Sequence, residues 1–315
     1  MTCPGWDGVE GRRERVRIVL EVPVSLQVLI LAVLKASIVL SVIALGLRVN
    51  LSDAIFLFRR PAELGRAFLS MYVVAPALAV ILAFKFHLYP AVKIALVTLS
   101  VSPVPPIFPK GATKAGGRND YTIGLMVAAA VMSIVAIPVA LEVFKRIFEL
   151  RLHIPLGFVL RLVFVTVLGP LLVGITVRAM APAFAQRVAR PVNKLAYGLL
   201  VLSLLPVLFR SARTIWSLIG NGTLLSLAGF ALGCYVIGFF LEAPRPENRR
   251  VLALASASRH PAIAVVIANA NFPQQKYVLA GILLYMMVSA IVTSVALKRI
   301  RAQAAPEVPQ KRMAA

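Results

Sequence analysis

Apolar runs of about eighteen residues or longer recur along the whole of this chain, and no other feature constrains its fold as tightly. Inside a bilayer each backbone N–H and C=O must find its partner within the protein, so runs of this length fold as helices. Nine such segments are legible, with approximate limits 24–47, 67–85, 91–117, 121–143, 155–178, 195–212, 221–242, 250–272 and 276–298. Apolar residues make up 60% of the chain, more than a water-facing surface would leave room for. The sequence therefore predicts an all-α polytopic membrane protein. One transmembrane domain would cover 24–298, flanked by an N-terminal tail (1–23) and a disordered, removable cytoplasmic tail (299–315). The first apolar run is too long for a secretory signal and lacks a small-residue cleavage site.

The net charge of +22 would suggest nucleic acid on a soluble protein, but here the Lys and Arg residues flank the apolar runs. They read as topology signals and contacts for anionic lipid, not as a nucleic-acid surface. One set of connections carries Arg48, Arg59, Arg60 and Arg66, then Lys110, Lys114 and Arg118, then Arg178, Arg187, Arg190 and Lys194, then Arg245, Arg249 and Arg250. The C-terminal tail continues that set with Lys298, Arg299, Arg301, Lys311 and Arg312, whereas the opposite connections hold fewer, among them Lys145, Arg146 and Arg151. The excess places the first set and the C-terminus in the cytoplasm of a multi-pass cell-membrane protein. Nine spans then leave the N-terminus outside despite Arg12, Arg13, Arg15 and Arg17. A tenth span would resolve the conflict, but 17–48 encloses too few residues for two full helices.

Two segments are interrupted. The third ends in SPVPPIFPKGATKAGGR, and Pro103, Pro105, Pro106 and Pro109 cannot all sit in one continuous helix, because each removes a donor and clashes with the turn before it. The eighth reads RRVLALASASRHPAIAVVIANANFP, with Pro261 directly after Arg259 and His260 and suited to start a second half-helix. Each break falls in the next-to-last span of its half, and by parity the two segments run in opposite directions. Two ordinary proline kinks would be the plain account. Paired breaks of opposite direction point further, to two inverted repeats (24–143 and 155–298) with a site at the membrane midplane.

The carboxylates Glu21, Asp53, Glu63, Asp120, Glu142, Glu149, Glu242 and Glu247 fall at span ends or in connections, so no buried acidic cation site is visible. The cations differ. Arg259 lies mid-span, Lys110 follows the first break and Lys35 sits near the middle of the first span. With half-helix starts beside them, they would attract an anion, most simply a carboxylate. Arg259, His260, Ser258, Lys110 and Thr113 are the candidate substrate contacts. Each has a duller alternative: Lys35 and Arg161 snorkel, Lys110 and Lys114 mark the cytoplasmic mouth, His260 caps its half-helix, and Arg259 ties its arm to carbonyls freed by the breaks. Asn269, Asn271, Gln274 and Gln275 would line the outer end. Cys3 and Cys234 make neither a disulfide framework nor a metal site, and no metal or cofactor is expected.

The stretch LGLRVNLSDAIFLFRRPAELGRAFLSMYVVAPALAVILAF (45–84) resembles the bile acid:sodium symporter family. The similarity continues through the proline-rich break, through TIGLMVAAAVMSIVAIPVAL, and returns at RRVLALASASRHPAIAVVIANANF, covering about 28–298. It implies inverted repeats, core and panel bundles, and two broken helices that cross; members that lack the first helix have nine spans. The sodium ligands do not carry over. Aligning the AxAVxxA stretch puts Ala255, Arg259 and His260 where the family has Glu, Gln and Asn. Its Ser/Thr ligands after the first break fall near Met126 and Ala130, and its Ser-Asn pair falls within GATK.

The resemblance and the residues together lead to an alternating-access carrier for a small organic anion, embedded in lipid, in which Arg259 supplies the charge that sodium supplies in relatives. The sodium requirement is open, because backbone carbonyls at the breaks could also bind sodium. A sodium-coupled symporter of that kind, an efflux carrier and a channel of the same architecture are the alternatives. An enzyme is not expected, since no intramembrane His/Asp/Glu cluster or nucleophile–base pair is present.

Overall fold

The computed structural model describes residues 24–105, 108–148, 156–242, 245–272, 274–275 and 277–304; Pro106, the N-terminal tail and positions 305–315 lie outside the described residues. The described chain is helical. In order come α1 (Val24–Gly46), the short α2 (Leu51–Ala54), α3 (Pro61–Lys85), α4 (Pro90–Val101), α5 (Phe108–Lys114) and α6 (Asn119–Phe148). Next is α7, built of Leu156–Val163 and Gly169–Met180 joined by a π-turn at Phe164–Leu168, then α8 (Pro182–Ser217) and α9 (Thr223–Leu241). The chain continues with α10 (Pro246–Ala257), α11 (Pro261–Asn271) and α12 (Val278–Ala304). Six stretches among the described residues are long and apolar enough to cross a membrane, and three shorter apolar helices accompany them.

The two expected interruptions are present. α4 stops at Val101 and α5 starts at Phe108; α10 stops at Ala257 and α11 starts at Pro261. Proline supplies the reason where α4 and α10 stop. The i+4 partners of Leu99 and Val101 would be Pro103 and Pro105, and that of Ala257 would be Pro261, none of which has an N–H.

The sixth segment, expected at 195–212 with room to extend through Trp216, differs most at its N-terminal side. It is one helix of 36 residues, starting at Pro182 and passing through Pro191 and Pro206. Arg187, Arg190 and Lys194 end the apolar run, but Arg and Lys are good helix formers, so the charge boundary is not a helix boundary. For the same reason α12 continues past the expected limit at 298 to Ala304. In α3, a π-turn at Leu69–Val74 precedes Pro76: the Ala75 N–H bonds the Ser70 carbonyl, an i→i+5 pairing. Met71 would next pair with Pro76, which has no hydrogen to give, so its carbonyl has no partner from its own helix.

Three packing groups follow. α1 lies against α7 and α8. α3, α4, α9, α11 and α12 share a core around Leu96, Leu99, Phe230, Leu227 and Tyr285. The start of α3, α5, α6 and α10 share another around Leu57, Met71, Tyr121, Leu125 and Leu252.

Candidate functional site

The two interrupted segments run antiparallel and meet at their breaks. α11 packs along α4, while α10 packs against α5 and α6. Where they meet, the His260 backbone N–H donates to the Pro103 carbonyl at 2.8 Å. Arg259 Nη1 donates to the carbonyls of Ser102 (3.3 Å) and Met71 (3.2 Å). All three acceptors are explained by proline: Ser102 would pair with Pro106, Met71 faces Pro76, and Pro103 lies inside the break. The carbonyl of Ala257, deprived of its partner by Pro261, accepts from the Tyr285 hydroxyl at 2.7 Å. Backbone carbonyls deprived of partners by proline are thus paired by one guanidinium, one phenol and the opposite break, as a lipid environment would demand.

Tyr285→Phe tests that pairing in isolation. It keeps the ring against Phe230 and removes only the donor to Ala257. Leaving one buried carbonyl bare costs about 1–3 kcal/mol. The expected result is a lower melting temperature in detergent, with the helical content before melting unchanged.

The guanidinium carries further capacity. Arg259 is 3% exposed, and Nε and Nη2 make no hydrogen bond among the described residues. The Cys234 thiol of α9 interacts with it, but a thiol is a weak acceptor. Tyr72 and Tyr285 lie within its electrostatic reach, and their hydroxyls are committed to the carbonyls of Ala129 and Ala257. No carboxylate pairs with it among the described residues.

His260 occupies the N-cap position of α11, but its ring makes no capping hydrogen bond. Both ring nitrogens are buried without a hydrogen-bond partner among the described residues, so the expected capping role falls to its backbone alone. Ser258 is the C-cap of α10 and donates its N–H to Leu254 and Ala255. Lys110 lies in α5. Thr113, further along α5, is exposed and bonds Pro109 and Asn119, away from Arg259. Pro103 is buried at the break, Pro105 is half-buried, and Pro109 is the second residue of α5. Lys35 and Arg161 are exposed on the outside of their helices, and Lys114 is exposed at the end of α5. Ala255, Met126 and Ala130, which stand where sodium ligands would be carried over, are all buried and have no side-chain oxygen.

A second polar cluster was not legible in the sequence. Glu242, the residue after α9, is 1% exposed. Its Oε1 pairs with Arg66 Nη1 at 3.2 Å, and its Oε2 has no partner among the described residues. Glu63 joins through Asn248 and through Arg60 and Arg245, and Tyr121 lies beside Glu242. Burial pushes the Glu242 carboxyl above its ordinary range, and Arg66 pulls it partly back. A raised carboxyl binds its proton more tightly folded than unfolded, so stability falls as pH rises through the folded value. As pH falls from neutrality toward the ordinary carboxylate range, the melting temperature of the wild type should rise relative to Glu242→Gln. A gap that ignores pH contradicts that assignment.

A polytopic helical protein with two antiparallel broken helices paired at their breaks is built as a membrane carrier is built. Residues 36–218 match the Sodium Bile acid symporter family, and the chain belongs to that family. It is accordingly a membrane transporter and not an enzyme. No curated protein matches it.

Proposed function

We propose that the protein is an alternating-access carrier of a small organic anion, with Arg259 standing in for the sodium ion of its relatives. The observation that carries this reading is the buried guanidinium holding Ser102 and Met71 carbonyls while two of its nitrogens stay uncommitted. Carbonyl oxygens are ligands that sodium also takes; here two of them meet a cation that is covalently tethered. Its uncommitted donors, with Ser258 and His260 alongside, would take a carboxylate or sulfonate, the fork suiting two oxygens at once.

The sodium-coupled alternative needs free carbonyls at the breaks. Those of Ser102, Pro103, Met71 and Ala257 are already engaged by protein donors, which weighs against it. In this reading the chain has nine spans in two inverted repeats (24–143 and 155–298) forming one domain over 24–298, sits in the cell membrane and keeps its C-terminus in the cytoplasm. α1, α7 and α8 form the panel, and the remaining spans the core. Arg259 is too buried to meet substrate unless the bundles part, so access alternates.

Counterflow in proteoliposomes tests the function. A preloaded organic anion should drive saturable uptake of its labelled copy, whereas conductance without saturation would indicate a channel. Lys110 and Thr113 lie on the half-helix leading to the cytoplasmic mouth, and changing them should alter the Michaelis constant more than the maximal rate.

A further inference from the structure

The three-helix group of α1, α7 and α8 contains no Asp or Glu: none occurs in 24–49 or 156–217. The ion pairs among the described residues all lie elsewhere, on Arg60, Arg66, Arg118, Lys145, Arg146 and Arg245. Orientation of membrane helices depends on Lys and Arg and is nearly indifferent to acids, so topology does not explain a bundle purged of carboxylates.

At one end of this bundle five cations gather. Arg48 Nη2 donates to the Ala189 carbonyl, and Arg178 bonds Asn50 and the Leu47 carbonyl, tying the ends of α1, α7 and α8 together. Onto this frame α8 adds Arg187, Arg190 and Lys194 at i, i+3 and i+7, one stripe of an α-helix, and all three are exposed. Ala185, Ala189 and Ala196 form the opposite, buried stripe, two of them against Leu47, which fixes the orientation of the basic face. The stripe continues along the same face into exposed Val201 and Leu205. Three exposed cations therefore continue into an apolar track on one helix of 36 residues, about 54 Å long against a hydrocarbon core of about 30 Å.

We infer that Arg187, Arg190 and Lys194 form a binding site for the phosphate of an anionic phospholipid, whose acyl chains lie along Val201 and Leu205. The charge selects the headgroup and the apolar continuation selects a lipid over a soluble anion. With no acid in the bundle, nothing in it competes for the cations.

The test uses the full-length protein in nanodiscs of mixed phosphatidylcholine and phosphatidylglycerol, with bound lipid counted by native mass spectrometry after release. The wild type should retain phosphatidylglycerol over phosphatidylcholine. Arg187→Gln/Arg190→Gln/Lys194→Gln should lose that preference by about fivefold per charge removed, and Arg187→Lys/Arg190→Lys should keep it. Lys145→Gln/Arg146→Gln, which removes two exposed cations on α6, should change nothing. Equal loss in this control, or unchanged retention in the triple variant, overturns the site. So does displacement of the lipid by millimolar inorganic phosphate, which would make the ligand a free anion. Should the triple variant fail to fold, wild-type retention must still fall steeply with added salt; retention indifferent to salt overturns the proposal.

Discussion

Arg259→Met is expected to reduce anion transport by about a hundredfold or more while changing folding stability far less. Two terms oppose each other in stability. The variant leaves the carbonyls of Met71 and Ser102 without donors, at about 1–3 kcal/mol each. It also removes a buried cation that no carboxylate pairs among the described residues, which costs several kcal/mol to desolvate. The net change is a difference of similar numbers, and a melting-temperature shift of either sign is consistent with it. Transport has no such compensation, since a buried charge pair with the substrate is worth about 3–5 kcal/mol when one partner is removed. Arg259→Lys should fall between, keeping the charge and losing the fork that reaches two carbonyls at once. Counterflow measured beside a thermal melt separates the outcomes. A variant that carries substrate normally would reduce Arg259 to a structural tie.

Gly174→Val should be the most damaging substitution in the three-helix group. A Cβ at Gly174 would sit 2.5 Å from the Ile43 carbonyl oxygen and 2.7 Å from Gly46 Cα. The contact is reciprocal, because a Cβ at Gly46 would meet the Leu171 carbonyl oxygen at 2.6 Å and Gly174 Cα at 2.9 Å. Every neighbour is backbone, so no side chain can rotate aside. In a bilayer, helix association depends on this kind of close approach between small residues. Over-packing by single methylene groups costs about 1–3 kcal/mol, and a β-branched side chain against backbone should reach about 3 kcal/mol or more. Gly198→Val on α8 is the matched control, since nothing lies within 4 Å of its Cβ position. Size-exclusion profiles and melts in the same detergent should show the first variant aggregated or strongly destabilised and the second near wild type.

Much of the carrier's frame was legible because proline is unambiguous. Pro103, Pro105 and Pro261 each delete a hydrogen bond at a known place, so the positions of both breaks followed from the chain alone. That they run in opposite directions followed from counting spans. Which donors answer the freed carbonyls did not follow. Tyr285 reaches Ala257 from 28 residues away and Arg259 reaches Met71 from 188 away, distances over which sequence pattern carries no signal. The need itself was readable at Ala257, four residues before Pro261, whereas at Met71 it depends on a π-turn that the sequence does not announce. The length of α8 was misjudged because Arg187, Arg190 and Lys194 end an apolar run without ending a helix. Glu242 sat at a span end, where acids are ordinarily solvated, and only the packing of Arg66 and Tyr121 around it shows that it is buried.

The claim that a tethered guanidinium replaces a metal ion is most directly tested by measuring the same transport with sodium and with potassium as the sole alkali cation, at matched ionic strength. Uptake of the organic anion should proceed at equal rates in both, and neither salt alone should raise the melting temperature of the purified protein above that in choline chloride. Uptake that requires sodium, or stabilisation by sodium without substrate, would contradict the account.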